Sequence, residues 1–550
     1  MAKSGITSGN IIYDGYVRAQ LQDTGGMVAD LRAFGGVGDA VIDGSGVVTG
    51  TDNTTALQAA IDAMRAQGGG RIFIPAGLYA YSSPLTTGAT DISKGLIFEG
   101  QGGLVWTFPF DQKRTLSGLV YTGSGSASAI VCTNSLGVAF KNLGLYYSSP
   151  TFTGILVNFA GFGGANTARS MVDRCHLSSL VVGGTWIRSA KALIGLSQVV
   201  VANILNSSLS GAQSLIRGIE TTADYSNDVV IRDCVLDYCG VAQIMNPSLN
   251  WSVQNCTFEY PNTPTPIGIT ADTLSDQGVR LDVQGCSFWD PLITLPQVMI
   301  KQPVGHTWDF GFEGNWIHNF SQASALIQLL GPGSCNIDGN TFASVVPTNT
   351  PTLIDLGNSA TALKQLARVV GNRWFANNSG AGYADAAIIN VSGHKNLEIR
   401  NNSSDGSGRE YITLTAQERL GYRLTLQNRP TPTPAAGQTL ADYQVYGTDA
   451  AGIIKIINGA SPSVAGALLD VTFSTPYLPF PLSSGIDANH RMLSVILTPV
   501  ETPEGLGVDA VNAGVYVKVA YATQTGFTLC TKNAVAANTT VLYSYRVIQI

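Results

Sequence analysis

From about residue 138 the apolar and polar positions fall into a short phrase, apolar-x-(Gly/Asn/Asp)-(Cys/Asn)-x-apolar, that returns in nearly every stretch of about 30 residues. It reads Phe-Lys-Asn-Leu-Gly-Leu at 140–145, Ile-Arg-Asp-Cys-Val-Leu at 231–236, Val-Gln-Asn-Cys-Thr-Phe at 253–258, Val-Gln-Gly-Cys-Ser-Phe at 283–288, Phe-Glu-Gly-Asn-Trp-Ile at 312–317 and Ile-Asp-Gly-Asn-Thr-Phe at 337–342. The fourth place falls at 143, 175, 207, 234, 256, 286, 315, 340, 372 and 402, in steps of 22 to 32 residues. Apolar side chains alternating with polar ones on both sides of a Gly, Asn or Asp predict strand, turn and strand. A period of this length predicts a solenoid, so the expected fold is all-β, a parallel β-helix. Equivalent residues of neighbouring coils then lie ~4.8 Å apart, and the fourth place becomes a ladder inside the bend. Asn amides pair along such a ladder, and Cys175, Cys234, Cys256 and Cys286 serve there as small apolar groups.

Upstream, residues 51–70 change period. Leu57, Ala60, Ile61 and Met64 share one helical face, a capping side chain stands near Asp52 to Thr54, and Gly68 stops the helix. A solenoid must cover its open end, and this helix is expected to be the cap. Residues 71–79 follow as a strand. Downstream, the Pro/Thr stretch at 428–437 reads as a semi-rigid linker, and short alternating strands after about 463 predict a β-sandwich. The expected domains are a short virion-attachment segment at 1–28, the β-helix at 29–429, a linker or trimerisation region at 430–462 and a C-terminal sandwich at 463–550 serving trimerisation or glycan binding.

Composition narrows the partners. Charged residues are 12% of the chain, 31 basic against 37 acidic without blocks, which gives no electrostatic handle for nucleic acid. No apolar run approaches 18 residues and the N-terminus has no signal-peptide core, so neither membrane insertion nor Sec export is expected. The 8 cysteines form no CxxC pair, which fits neither a zinc module nor a disulfide framework. No metal and no cofactor is expected.

The repeat also orders the outward side chains. Three places after the ladder come Asp237, Glu259, Trp289 and His318 on consecutive coils, with Asp290 beside Trp289. Asp237, Glu259 and Asp290 are the candidate catalytic acids, since carboxylates on adjacent coils would stand roughly 5 Å apart, the separation of retaining glycosidases, and a partner two coils away roughly 10 Å, closer to inverting geometry. Trp289 offers a face to a sugar ring. Two places before the ladder lie Arg232, Gln254, Gln284, Glu313 and Asp338, able to bond hydroxyl groups. Trp308, Asp309, Glu313, Trp316 and His318 fall in one coil, so the candidate substrate-binding residues are Trp289, His318, Arg232, Glu313, Trp308 and Trp316. Lyase chemistry would call on Arg280 or Lys301 to neutralise a uronate. Each of these side chains also has a plain reading as the polar exterior that every coil must present.

Leu31-Arg-Ala-Phe-Gly-Gly-Val-Gly-Asp39, Thr51-Asp-Asn-Thr-Thr-Ala-Leu-Gln-Ala-Ala-Ile-Asp62 and Gly68-Gly-Gly-Arg-Ile-Phe-Ile-Pro-Ala-Gly-Leu-Tyr79 together resemble the opening signature of the pectate-lyase-like superfamily found in phage tailspikes and in glycan-cleaving enzymes. The strands after 463 resemble small C-terminal sandwich domains of phage tail fibres. The resemblance implies that the parallel β-helix is right-handed and that the chain is a homotrimeric tailspike or tail-fibre protein in the virion tail. Its partners would be bacterial surface polysaccharide, capsule or O-antigen, and other tail or baseplate proteins through the N-terminus. Depolymerisation by acid/base hydrolysis is expected, with a non-enzymatic glycan-binding fibre or a polysaccharide lyase as the alternatives. A secreted pectinase-like enzyme is a more distant third.

Overall fold

The computed structural model describes residues 28–88, 95–102, 116–133, 137–161, 167–182, 185–218, 226–259, 267–272, 279–289, 292–293, 297–301, 308–322, 325–330, 333–346, 354–356, 366–376, 389–390, 396–400, 403–404 and 412–413. Farther along it describes 431–435, 438, 440–447, 451–458, 460–461, 465–472, 493–499, 515–518, 526–533 and 540–549. The chain divides into two compact units, 1–386 with 400–407 and 387–399 with 408–550.

The first part is a parallel β-solenoid. Within the first unit one sheet stacks its strands in chain order, from Val28–Asp30 through Val199–Leu205, Ser226–Arg232, Leu249–Gln254, Val279–Gln284, Trp308–Glu313 and Gly333–Asp338 to Leu366–Val370. A second parallel sheet holds the strands that follow each bend, among them Ser208–Arg217, Val235–Met245, Thr257–Glu259, Ser287–Trp289, Trp316–Gln322 and Thr341–Val346.

The bend is the recurrent phrase. Its third residue takes a left-handed backbone: φ is 51° at Asn142, 47° at Asn206, 54° at Asp233 and 51° at Asn255, then 64°, 62°, 65° and 68° at Gly285, Gly314, Gly339 and Gly371. Gly, Asn and Asp reach this region at least cost, which explains their recurrence there. Only Arg174, at φ 53°, departs from that choice among the phrase residues. From Asn142 to Gly339 each bend N–H still donates to the next coil, as in Asn255 to Gln284 O at 2.9 Å and Gly314 to Asp338 O at 3.0 Å, so the backbone ladder crosses these corners unbroken.

The fourth residue points inward and seals the corner. Asn340 Oδ1 accepts from Asn315 N at 2.8 Å and from Asn315 Nδ2 at 3.1 Å, and Asn340 Nδ2 donates to Phe312 O at 2.7 Å and Asn372 Oδ1 at 2.9 Å. The cysteines continue the same column, with Cys286 N donating to Asn315 Oδ1 at 2.8 Å and Cys256 N to Cys286 Sγ at 3.4 Å. All 8 are buried thiols without a disulfide. Next to this column the interior rows stack: Phe258 on Phe288 with ring centroids 4.4 Å apart, and Phe98 on Phe140 at 4.7 Å.

The expected helix forms over Thr54–Ala66 and buries Ala56, Leu57, Ala60, Ile61 and Met64. It packs on the 3₁₀ turn Leu31–Phe34 and on Val28–Asp30 and Gly70–Ile74, the first strands of the stack. Asp52 Oδ1 caps it by accepting from Thr54 N at 2.9 Å. Asn53 is instead buried and bonds Val37 N and O, Thr51 O and Ala80 O, tying the residues of the opening signature into one knot.

The C-terminal strands form two four-stranded antiparallel sheets. One runs in the order 431–434, 466–472, 526–531 and 515–518, the other 440–447, 451–458, 540–549 and 493–499. The Pro/Thr stretch read as a linker thus contributes an edge strand, Thr431–Pro434, paired with Leu469–Thr472. An edge is where Pro is tolerated, since it lacks an N–H to give a second neighbour.

Asn340→Leu would leave the Asn315 N–H and the Phe312 carbonyl buried and unpaired, so a loss of about 3 kcal/mol in a urea titration is expected, without change of fold by circular dichroism. The thiols should resist Ellman's reagent in the native protein and react together on unfolding. Rapid native reaction of Cys234, Cys256 or Cys286 would contradict the ladder.

Candidate functional site

The second sheet begins one residue after the ladder, so the bend sets its alternation. Two places past the ladder, Leu209, Leu236, Phe258, Phe288, Ile317 and Phe342 all point inward and are buried. Three places past it the side chains point out. Ser210 pairs with Asp237, the pairing of Leu236 with Phe258 brings Asp237 beside Glu259, and Glu259 pairs with Trp289. His318 follows, its ring stacked on Trp289 with centroids 4.0 Å apart and planes 8° apart. Trp316, in the same strand as His318 and also facing outward, stacks on the histidine's ring at 4.2 Å. The result is one outward row running from two carboxyls to a three-ring stack. Trp289 is 43% and Trp316 48% exposed, so indole surface remains open to a ligand.

The acidic end is covered by an insertion. The hairpin Val181–Val182 with Thr185–Trp186 precedes a segment held by hydrogen bonds. The Tyr147 hydroxyl lies 2.8 Å from Ile187 O, and Gln213 Nε2 donates to Arg188 O. Trp186 lies against Tyr238, ring centroids 5.3 Å apart. Under this cover Asp237 Oδ1 is buried without a hydrogen-bond partner. Burial, followed by the charge of Glu259, pushes the Asp237 carboxyl up to about 8, against the opposing pull of the Tyr238 N–H and the Arg188 guanidinium. Glu259 is also raised, by burial. Gln243 backs it, its Nε2 donating to Glu259 O and Leu236 O, both at 2.9 Å. A carboxyl that keeps its proton at neutral pH beside one that carries charge is the arrangement required for general acid catalysis.

The other expected site residues separate. Arg232 and Glu313 lie on the first sheet, in the row Arg232, Gln254, Gln284, Glu313, Asp338. There Arg232 faces Asp233 at 3.5 Å, Asn336 Nδ2 donates to Glu313 Oε1, and Arg368 bonds both Asn336 and Asp338. Arg280 is on the same sheet, 3.9 Å from Asp309. Trp308, expected to bind substrate, is instead 1% exposed and inside the solenoid, because Trp308, Phe310 and Phe312 alternate inward along their strand. It is therefore no sugar platform. Asp290 and the side chain of Lys301 lie outside the described residues. Among the described residues no three His, Cys, Asp or Glu are grouped to hold a metal ion.

Trp186, Arg188, Tyr238 and Gln243 escaped the sequence reading. The only trace was the length of the coils: 32 residues separate ladder places 175 and 207, against 22 between 234 and 256, and the surplus is the insertion.

Residues 37–270 match a family model described as rhamnogalacturonase A/epimerase, pectate lyase-like. The match is confined to this stretch. It takes in the helix, the Asn53 knot, Asp237 and Glu259, and it ends before the aromatic stack. Among curated protein sequences nothing matches. Solved structures similar to the chain include the tailspike protein gp49 from Pseudomonas phage LKA1, at 12% identity, 94% of this chain, 99% of that one and a TM-score of 0.47. The tailspike of Acinetobacter phage vB_ApiP_P1 gives 11%, 95%, 87% and 0.44, and the A-module of Azotobacter vinelandii mannuronan C-5 epimerase AlgE6 gives 15%, 70%, 97% and 0.45.

Because the Asp237 carboxyl is raised in the fold, the stability it contributes is full below the ordinary carboxylate range and is lost as pH climbs through about 8. Asp237→Asn should remove that loss. Its melting temperature relative to wild type should rise between pH 5 and pH 9; a constant difference would mean the carboxyl titrates normally.

Proposed function

We propose that this protein is a phage tailspike or tail-fibre protein, a homotrimer in the virion tail, whose solenoid recognises and depolymerises bacterial surface polysaccharide. The observation that carries the catalytic part is the pairing of a proton-retaining Asp237 with Glu259 at one end of an exposed aromatic row. The family description over 37–270 supports a carbohydrate ligand. The virion assignment rests on the tailspike-like signature of residues 31–79 and on the separate C-terminal β unit.

In this reading a glycan lies along the coils with sugar rings against Trp289 and Trp316. Asp237 donates its proton to the glycosidic oxygen as that bond breaks. Glu259, whose negative charge Asp237 feels, attacks the anomeric carbon from the neighbouring coil, roughly 5 Å away, which is the retaining arrangement. Asp237, now ionised, takes a proton from the water that releases the sugar from Glu259. Binding without cleavage is the second reading, favoured by the exposure of the aromatic stack, which could hold a glycan without help from the acids.

Purified protein incubated with capsule or lipopolysaccharide of the host should release fragments one water heavier than the cut polymer predicts, read by mass spectrometry. Asp237→Asn and Glu259→Gln should each lower kcat about 10² to 10⁴-fold, while Trp289→Ala should raise KM about tenfold. Unsaturated ends would replace hydrolysis by a lyase reaction, and an intact polymer that still binds through Trp289 would establish the receptor-only role.

A further inference from the structure

The outward row that carries Asp237 is roofed on one side of the acids and open on the other. Backbone pairing extends it toward the N-terminus through Ala80, Val120, Tyr146, Ser178 and Ser210, one outward position on each of five consecutive coils. Outward side chains of a bare coil would face water, yet none of these five is more than 6% exposed. Asp237 and Glu259 are half-buried, and Trp289 and Trp316 are exposed. Cover therefore ends at one place along a straight column, and the two carboxyls stand at that place.

Two segments make the roof. The hairpin of Val41–Ile42 with Val48–Thr49 covers the first coils: Ile42 is buried in one apolar cluster with Val120, Tyr146 and Leu180, and Val48 packs against it. The insertion at Val181–Val182 and Thr185–Trp186 covers the next. Ile187 N donates to Leu180 O at 3.3 Å, and the Tyr147 hydroxyl lies 2.8 Å from Ile187 O and 2.6 Å from Gly211 O, so the insertion is pinned to the sheet. Trp186 sits close over the strand, since a Cβ built on Gly211 would meet its indole at 3.1 Å. The same indole leans on Tyr238, the residue after Asp237, which closes that side of the acid along its own strand. Among the described residues the row is thus approached from the Glu259 side. A polymer lying on Trp289 and Trp316 can run on away from the acids, but one coil past Asp237, ~4.8 Å, it meets Ser210 under the roof.

We infer that the row is a blind-ended groove that takes the end of a glycan chain rather than its interior, and that hydrolysis shortens the chain from that end. The terminal sugars pass Trp289 and Glu259 and stop against Trp186 and Tyr238. The short stretch that fits beyond the broken bond sets a single product size, and Trp186 is the residue that fixes this specificity. The inference rests on the glycan-binding reading and deepens it from a polymer to a polymer end.

The probe is host capsule polysaccharide, or the O-chain cut from host lipopolysaccharide, separated into short and long fractions and titrated calorimetrically into the full-length Glu259→Gln protein, in which turnover is suppressed. One subunit should bind per glycan chain in every fraction; a number that climbs with chain length would overturn the inference. With the wild type, size exclusion at early times should show one small product beside polymer of nearly unchanged length, and a spread of intermediate fragments would overturn it equally. Trp186→Ala in the Glu259→Gln background should place two or more subunits on each long chain, and a ratio held at one in that folded variant would overturn the part given to this ring. Binding to no fraction would remove the glycan reading and this inference with it. One subunit per chain without cleavage by the wild type would keep the blind end and remove only the catalytic reading.

Discussion

The solenoid depends on one bend. A residue in the left-handed conformation turns the chain while keeping its N–H on the next coil, and the residue after it fills the inner corner with an amide or a thiol. Without the left-handed residue the two sheets could not meet at this angle with their hydrogen bonds intact. Without the inner ladder the corner would hold orphaned N–H groups at Cys286, Asn315 and Asn340, each of which donates to the next side chain in the column. The bend is therefore both a conformational choice and a hydrogen-bond requirement, and the chain meets both within two residues.

That bend also places the candidate site. Starting the second strand at a fixed distance from the corner makes the third residue beyond each ladder place an outward one, and identical starts on successive coils bring Asp237, Glu259, Trp289 and His318 into one row. The row is uniform in backbone and uneven in environment. The insertion near Trp186 and Arg188 buries one end, so Asp237 holds its proton, while the other end stays open with its indoles exposed. A gradient of burial along a straight ladder is how a repetitive scaffold acquires a site that differs from its neighbours.

Much of this was legible along the chain because a period of one coil and an alternation of two residues are both properties of local sequence. The ladder column, the capping helix with its buried Leu57, Ile61 and Met64, and the outward row all follow from them. The errors came where residues near in sequence were taken as near in space. Trp308 and Trp316 lie in one coil, yet one points into the core and the other out, because a bend and a change of strand separate them. Arg232 and Glu313 are no such error: they keep the row of their own that their place before the ladder predicts, on the sheet that does not carry Asp237. The prolines at 432 and 434 looked like a linker, since propensity does not distinguish a free segment from an edge strand awaiting a partner.

By itself the sequence determined the coil, the corner and which positions face out, since each needs only the pattern within one repeat and the stacking of like on like. The tertiary structure decided which outward positions are covered and which acids feel each other. Those depend on insertions folding back from other coils, and burial and electrostatics are sums over everything nearby in space rather than along the chain.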